Sequence, residues 1–460
     1  MAVSPELEGL RRVVPSRFVS FSFPNPFLGG APNPYGDGYA GECIRVAVLD
    51  SPLPSPPVPS TVAMLVPAGR HRDWIFSTRA GHLHLLLSST HISRFIILGP
   101  ELSAPSPRVI SCVRRPDPDP AHAGLLPLLL ALCPAAAFLG NGHAVPDVPL
   151  LTFHDDLLRL VPVKVVAGPV VGEMVVEDVA IECAPGPVEL RRRLRFKRMP
   201  CLVQTQVRLC PSPAAASSSL LEALDGSGGL LEPEVGGSLV EPYLQAMVAA
   251  LAVIAPSAEE SIQSGVRPRC LCAGVGGGSL PMSIRVGLQF NVLGIEADGV
   301  VLDVARNHFG LVEDEFLRVH VGDAIQTIED FSRQGESDMN FSAVMVDLDS
   351  SDAMYGVSAP PLEMTHRNIL LSARKILHHR GVLILNVMPP PADVSFYQGL
   401  VDVLRQVFSE LYEIDVGNGE NYVLMATVSP IETTVTDNSG QFLTELRKLA
   451  GDFLEHIRKI

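Results

Sequence analysis

The sequence predicts an α/β protein: a mostly parallel, helix-flanked sheet over residues 240–460, preceded over residues 1–210 by a smaller β-rich α+β domain. Three observations predict it. Beyond residue 240, strand-like and helical runs alternate, the pattern of right-handed βαβ units. Before residue 210, short strand-like runs sit between Pro/Gly clusters with little helix between them. Between the two lies SPAAASSSLLEALDGSGGLLEPEVGGS, Ser212 to Ser238, whose Ser, Gly and Ala content reads as a linker over residues 211–239. At 460 residues, with 47% hydrophobic and 18% charged side chains, the chain is globular and long enough for two or three cores.

The strand candidates of the first half are IRVAVLD, STVAMLVPA, RFIILG, VPVKVVAG, GEMVVEDVAI and RRRLRFKRM. In the last, Arg191 to Arg198 alternate with Leu194 and Phe196, which predicts a strand with one solvated, charged face rather than a nucleic-acid surface. Trp74, the sole tryptophan, is expected to anchor a core. The uncharged AGLLPLLLALCPAAAFLG, Ala123 to Gly140, is interrupted by Pro127 and Pro134, so it predicts a buried helix and a loop instead of a membrane span. This half holds no catalytic constellation.

In the second half the strand candidates are RCLCAGV, NVLGIEAD, LRVHVGD, SAVMVDLD, GVLILNVM, LYEIDV and YVLMATV, with helices such as Gly299–His308 and Leu362–His378 between them. Only GNGEN separates the last two strands, so a hairpin with one antiparallel strand is expected. Phe442, Leu446, Leu449, Phe453 and Ile457 recur at helical spacing and predict a closing amphipathic helix.

Charge narrows the partners. Residues 1–240 hold 21 acidic and 20 basic side chains, and residues 241–460 hold 29 and 15, so nearly all of the net charge of −15 lies in the second half. That half is a poor surface for phosphate and a fair one for a cationic partner. Eight cysteines without CxxC spacing favour free thiols over a zinc site or disulfide framework, and MAVSPELEGLRRVV has no apolar signal core. The expected location is the cytoplasm, away from membranes. No histidine shows metal-ligand spacing, and His378–His379 reads as a helix C-terminal dipole partner.

The chemistry gathers at strand ends. The first strand of the second half runs into GVGGGSLP, where Gly274, Gly276 and Gly278 let the backbone turn tightly against a ligand at a helix N-terminus. Glu296 closes the next strand 20 residues beyond Gly276, where a carboxylate can accept both hydroxyls of a ribose. Asp323, with Ala324 beside it, ends the third strand and can accept from an adenine amino group. Asp347, Asp349 and Asp352 follow the fourth strand. A nicotinamide dinucleotide would use the first two features as well. The terminal hairpin and the acid cluster on strand four instead describe a seven-stranded, Rossmann-like class I fold of the kind that uses S-adenosylmethionine.

LCAGVGGGSLP, GIEAD, VARNHFG, VHVGDA, VMVDLDSSDAMYGVSAPP and GVLILNV together resemble the C-terminal domain of the methyltransferase-like protein 13 family, which is similar to spermidine synthases. GRHRDWIFSTRAG and MVVEDVAIECAPGPVELRRRLRFKRMP resemble the family's middle region, so the likeness covers most of the chain. The resemblance implies an S-adenosylmethionine-dependent methyltransferase acting on the N-terminal α-amine of translation elongation factor 1-alpha. It places Asp347 nearest the transferred methyl and Asp349 next to the acceptor, and no metal is implied. Asp352 either joins them or caps the following turn. The chain departs from the family in two ways. No second glycine-rich cofactor motif precedes residue 200, where the family's lysine-methylating domain would lie, and the leading helix EPYLQAMVAALAVI is shorter. DSSDAMYG also resembles the DSSDP of polyamine synthases, which keeps an aminopropyltransferase as the alternative, although Ser279 replaces their usual aspartate. A degenerate, non-catalytic binding module is the third reading. The oligomeric state stays open, a dimer included.

Overall fold

The computed structural model describes residues 9–28, 41–89, 91–112, 121–139, 145–183, 186–211, 224, 231–234, 239–334, 340–352, 356–390, 395–417, 419, 421–431 and 440–460. Three main sheets carry the fold. In the first, β1 (Phe18–Pro24), β2 (Cys43–Asp50), β3 (Thr61–Leu65) and β4 (Arg94–Pro100) join the short β6 (Leu150–Leu151) in the order β1-β2-β4-β3-β6. The second is antiparallel. It runs β11-β10-β9-β8-β7-β5, with β5 at Ile110–Ser111, β7 at Leu157–Gly168, β8 at Gly172–Glu182, β9 at Val188–Phe196, β10 at Met199–Pro211 and β11 at Leu231–Pro233. The expected linker thus contributes a strand, because Leu231–Pro233 pairs with the end of β10. All six strand-like runs of the first half are strands.

The third sheet comprises β12 (Arg269–Ala273), β13 (Asn291–Glu296), β14 (Leu317–Val321), β15 (Phe341–Val346), β18 (Leu377–Val387), β19 (Glu410–Asp415), β20 (Tyr422–Thr427) and β21 (Arg458–Lys459). Its order is β14-β13-β12-β15-β18-β20-β19-β21, eight strands where seven were expected. The added strand is the two-residue β21, which pairs with the outer edge of β19. β12 to β15 and β18 are parallel, and β20 is the antiparallel strand, inserted between β18 and β19 by the hairpin. A separate hairpin joins β16 (Ser350–Asp352) to β17 (Gly356–Ser358).

Strand alternation divides this half into two cores. Cys270 and Cys272 face the helices Pro242–Ala249, Ser279–Gly287 and Gln441–Ala450, whereas Leu271 and Ala273 face Ala324–Gln334, Arg367–Ile376 and Phe396–Val407. The apolar Ala123–Gly140 stretch begins as the helix His122–Ala131, which buries Leu125, Leu128 and Leu129 under the first sheet. Among the described residues no helix is long and apolar enough to cross a membrane.

Several expectations are corrected. The basic strand has no solvated charged face: Arg193 and Arg195 are buried and share Glu177 of β8, with Arg195 also on Asp73. Three carboxylate contacts make burial of those charges tolerable. Trp74 is only half-buried and lies 5.9 Å beneath the Lys197 ammonium, while its neighbours Ile75 and Phe76 fill the core. The closing helix stops at Ala450 because Gly451 takes φ +56, and Phe453 and Ile457 reach the same core from the turn beyond it. His378 and His379 open β18 instead of closing a helix, which ends at Ile376.

Candidate active site

The chain reverses direction across the sheet between β12 and β15, so their C-terminal ends open a crevice at the switch point. Gly274 follows β12 with φ +88, and a Cβ there would lie 2.1 Å from the Asp347 carbonyl oxygen. Only glycine permits that approach of two backbones. Gly276 takes φ +52, with the Gln204 carbonyl 3.6 Å from a notional Cβ, and Gly278 sits at the N-terminus of Ser279–Gly287, where a Cβ would lie 2.8 Å from Leu311 Cδ1. All three glycines therefore form one cradle at the mouth of the crevice.

Glu296 ends β13 and is 7% exposed. Its Oε2 accepts from the amides of Val275 (3.3 Å) and Gly276 (3.2 Å), and Oε1 accepts from Asp298 N (3.2 Å). Burial raises its pKa, and the three amides oppose the rise. The ribose acid and the glycine cradle are thus one unit. Asp323 is exposed, and its Oδ1 accepts from Gln326 N at 3.0 Å, capping the helix that starts at the buried Ala324. Asp298 was not anticipated. Fully buried, it accepts from Val170 N (2.8 Å), Val171 N (2.9 Å) and Val300 N (3.0 Å), which ties the β7–β8 turn to the third sheet.

Asp347 and Asp349 leave β15 together. Asp347 Oδ1 accepts from Asn386 Nδ2 (2.9 Å) and Oδ2 from the Tyr243 hydroxyl (3.3 Å), and Asn386 is held in turn by Asn421 Nδ2 at 3.0 Å. Burial lifts Asp347 to a pKa of about 6, and the Asp349 charge adds to the rise against the two donors. Asp349 is also raised by burial, and Arg198, 3.5 Å away, counters it. Gln204 of β10 stands beside Asp349, and its side-chain amide also favours the ionised carboxylate. The Asp352 side chain lies outside the described residues.

Sequence reasoning missed Glu241, Tyr243, Asn386, Arg198 and Gln204. Asn386 had a signal, as the one polar side chain in the apolar run GVLILNV. Glu241–Pro242–Tyr243 had another, a proline at the first position of a helix with polar groups on either side. Arg198 and Gln204 had none, because only the packing of the second sheet against the third brings them there. Among the described residues no group of three or more His, Cys, Asp or Glu side chains forms a metal site.

The strand order, the glycine cradle and the acids at the ends of β13 and β15 define an α/β fold of the class I methyltransferase type. No family model matches the chain. It is similar over most of its length to proteins named eEF1A lysine and N-terminal methyltransferase: 28% identical to that of Danio rerio over 397 residues, 84% of this chain and 54% of the relative. The human protein is 25% identical over 413 residues, 87% of this chain and 56% of the relative. The chain therefore spans about half the length of these relatives. Among solved structures, human methyltransferase-like protein 13 in complex with SAH overlays with a TM-score of 0.40 at 26% identity, covering 47% of this chain and 94% of that one. A probable spermidine synthase from Corynebacterium glutamicum overlays with a TM-score of 0.41 at 13% identity, covering 64% and 89%. At these scores the fold class rests on the strand order.

Proposed function

We propose that the chain is an S-adenosylmethionine-dependent protein methyltransferase that acts on the N-terminal α-amine of translation elongation factor 1-alpha in the cytoplasm. One observation carries the reading: Asp347 and Asp349 stand at the end of β15 against the glycine cradle, with Asp347 oriented by Asn386 and Tyr243. The names of the similar proteins supply the acceptor.

The residues present fit the cofactor. Gly274, Gly276 and Gly278 leave backbone without side chains where an adenosyl group would lie, and Glu296 offers a carboxylate at that cradle for ribose hydroxyls. Asp323 keeps one carboxylate oxygen beyond its cap, and Ala324 starts the helix beside it. S-adenosylmethionine supplies an electrophilic methyl group on a sulfonium. The chain's task is then to hold an amine in line with that methyl and to stabilise the positive charge that grows on nitrogen. Asp347, ionised above about pH 6, orients the lone pair, and Asp349 faces the acceptor. An α-amine, with a pKa of about 7.7–8.0 against about 10.4 for lysine, is the easier nucleophile near neutrality.

Residues 240–460 hold the cofactor, residues 1–210 are accessory, and 211–239 connect them, with β10 of the accessory part reaching the acids. The test is incubation with labelled S-adenosylmethionine and elongation factor 1-alpha, followed by mass spectrometry of the acceptor's first peptide. Methyl groups on the α-amine support the reading. Transfer to an internal lysine changes the acceptor, aminopropyl transfer to putrescine selects the polyamine alternative, and no transfer at all favours a binding module.

A further inference from the structure

The β9–β10 hairpin carries its arginines in two different settings. Arg193 and Arg195 are buried on β9 and fixed by Glu177, with Asp73 as a further partner of Arg195. Arg198, in the turn that leads into β10, reaches the crevice instead. Its Nη2 stands 3.5 Å from Asp349 Oδ1, and the two side chains are 37% and 21% exposed. A single, long, half-open ion pair of this kind is readily exchanged for another cation. The Phe196 ring, centred 5.5 Å from the guanidinium carbon, offers Arg198 a contact when the carboxylate is given up. The hairpin itself is held at the site, because β10 rides on the glycine cradle. A Cβ on Gly277 would lie 2.5 Å from Thr205 Cγ2, and one on Gly276 3.6 Å from the Gln204 carbonyl.

We propose that Arg198 is a positioning residue that shares Asp349 with the acceptor and keeps a protonated amine from settling there. The inference rests on the methyltransferase reading above. Asp347 and Asp349 side by side would hold an ammonium firmly, yet an ammonium has no lone pair to offer a methyl group. With Arg198 on Asp349, an arriving cation meets a like charge, whereas a neutral amine does not. The acceptor therefore leaves its proton with water and enters as R–NH2, the form of roughly one α-amine in ten at pH 7. After transfer the product is R–NH2+–CH3, and Arg198 recovers Asp349 as that cation departs. The groups around this pair are few and come from separate elements. Burial raises Asp349, and Arg198 and the neutral Gln204 of β10 oppose the rise, while the Asp349 charge acts on Asp347. From the helix side, Tyr243 donates to Asp347 and lies within reach of the charges of Asp347, Glu241 and Asp349. Arg191 of β9 faces Glu241, and Lys197, the other cation of the turn, is held by Glu173 over Trp74.

The test uses the full chain and Arg198→Gln, a change at a half-exposed turn. With elongation factor 1-alpha bearing a free N-terminal amine, KM at pH 7 should fall about threefold to fivefold, the scale of a half-exposed ion pair. The same interaction raises the pKa of the bound amine, so kcat should fall by a similar factor and kcat/KM should change less than either. Both differences should shrink as pH rises from 7 to 9.5 and the amine loses its charge. Arg198→Lys, which keeps the cation, should restore both constants. An unchanged or raised KM, or a difference of one size at every pH, overturns the assignment. If the wild-type chain methylates nothing, the functional reading fails, and binding decides on Arg198 separately. Glycinamide is then titrated by NMR into the chain loaded with S-adenosylhomocysteine, a pair that cannot react. Binding to Arg198→Gln that is about threefold to fivefold tighter than to wild type at pH 6.5, and equal at pH 9.5, upholds the proposal. Equal binding at pH 6.5, or none to either chain, overturns it.

Discussion

Asp347 lies among groups that pull its proton affinity in opposite directions, and the balance sets a pH window. Burial and Asp349 raise it to about 6, while Asn386 and Tyr243 act against them. Only the ionised form stabilises a cationic nitrogen, so turnover should fall as pH drops through about 6 and should be insensitive to this group above about 7. Initial rates from pH 5 to 8 check this. The same raised value means that Asp347 favours folding below its unfolded pKa of about 3.9 and loses that contribution as pH rises through 6. Asp349→Asn should lower turnover by roughly a hundredfold to a thousandfold, about 2.7–4 kcal/mol in the barrier, with cofactor affinity retained. Calorimetry and mass spectrometry of the acceptor separate the two effects. Glu296→Ala should instead cost about 1.5–3 kcal/mol of cofactor affinity by calorimetry, the scale for hydrogen bonds to a charged group. Its loss would also release the amides of Val275 and Gly276.

The elements that build the crevice depend on close backbone approach more than on side chains. Gly274→Ala would force a residue with a Cβ into φ +88 and onto the Asp347 carbonyl 2.1 Å away. The left-handed conformation alone costs about 1–2 kcal/mol, and the overlap must move the loop or β15. The variant should unfold at lower urea and fail to bind cofactor. Within β9 the pattern was legible but its environment was not. Alternation of arginine with Leu194 and Phe196 marked a strand correctly, yet it could not tell water from Glu177 and Asp73 as the partner of those charges. The closing helix has a similar lesson, because apolar spacing continues to Ile457 whereas the backbone leaves the helix at Gly451.

At the scale of the molecule, the second and third sheets work as one body around the site. Met174, Val176, Leu194, Phe196, Met199 and Val207 of the antiparallel sheet share an apolar cluster with Val301, Val304 and Phe309 beside β13. Asp298 adds three hydrogen bonds, two of them across the same boundary. Asp298→Ala should strip those amides of their acceptor and lower stability by about 1–3 kcal/mol in urea denaturation. The outcome belongs to the whole fold, because cofactor binding should weaken although Asp298 contacts no expected ligand position. A chain beginning at residue 240 would expose that cluster, so it should bind cofactor more weakly and aggregate more readily than one beginning at residue 150, as calorimetry and light scattering would report.

By itself the sequence determined the parallel sheet with its antiparallel hairpin, the glycine cradle, and the acids Glu296, Asp347 and Asp349 at strand ends. These are properties of local spacing: period-two burial, glycine where the chain must turn, and a carboxylate where a strand stops. The tertiary structure alone decided which residues from distant segments meet those acids. Arg198 comes from the turn before β10, Gln204 from β10, Tyr243 from the helix Pro242–Ala249 and Asn386 from β18, and no short-range pattern links them. The pKa shifts of the site are decided at that level too, because burial is a sum over everything packed around a group, and the groups acting on Asp347 and Asp349 come from segments far apart in sequence.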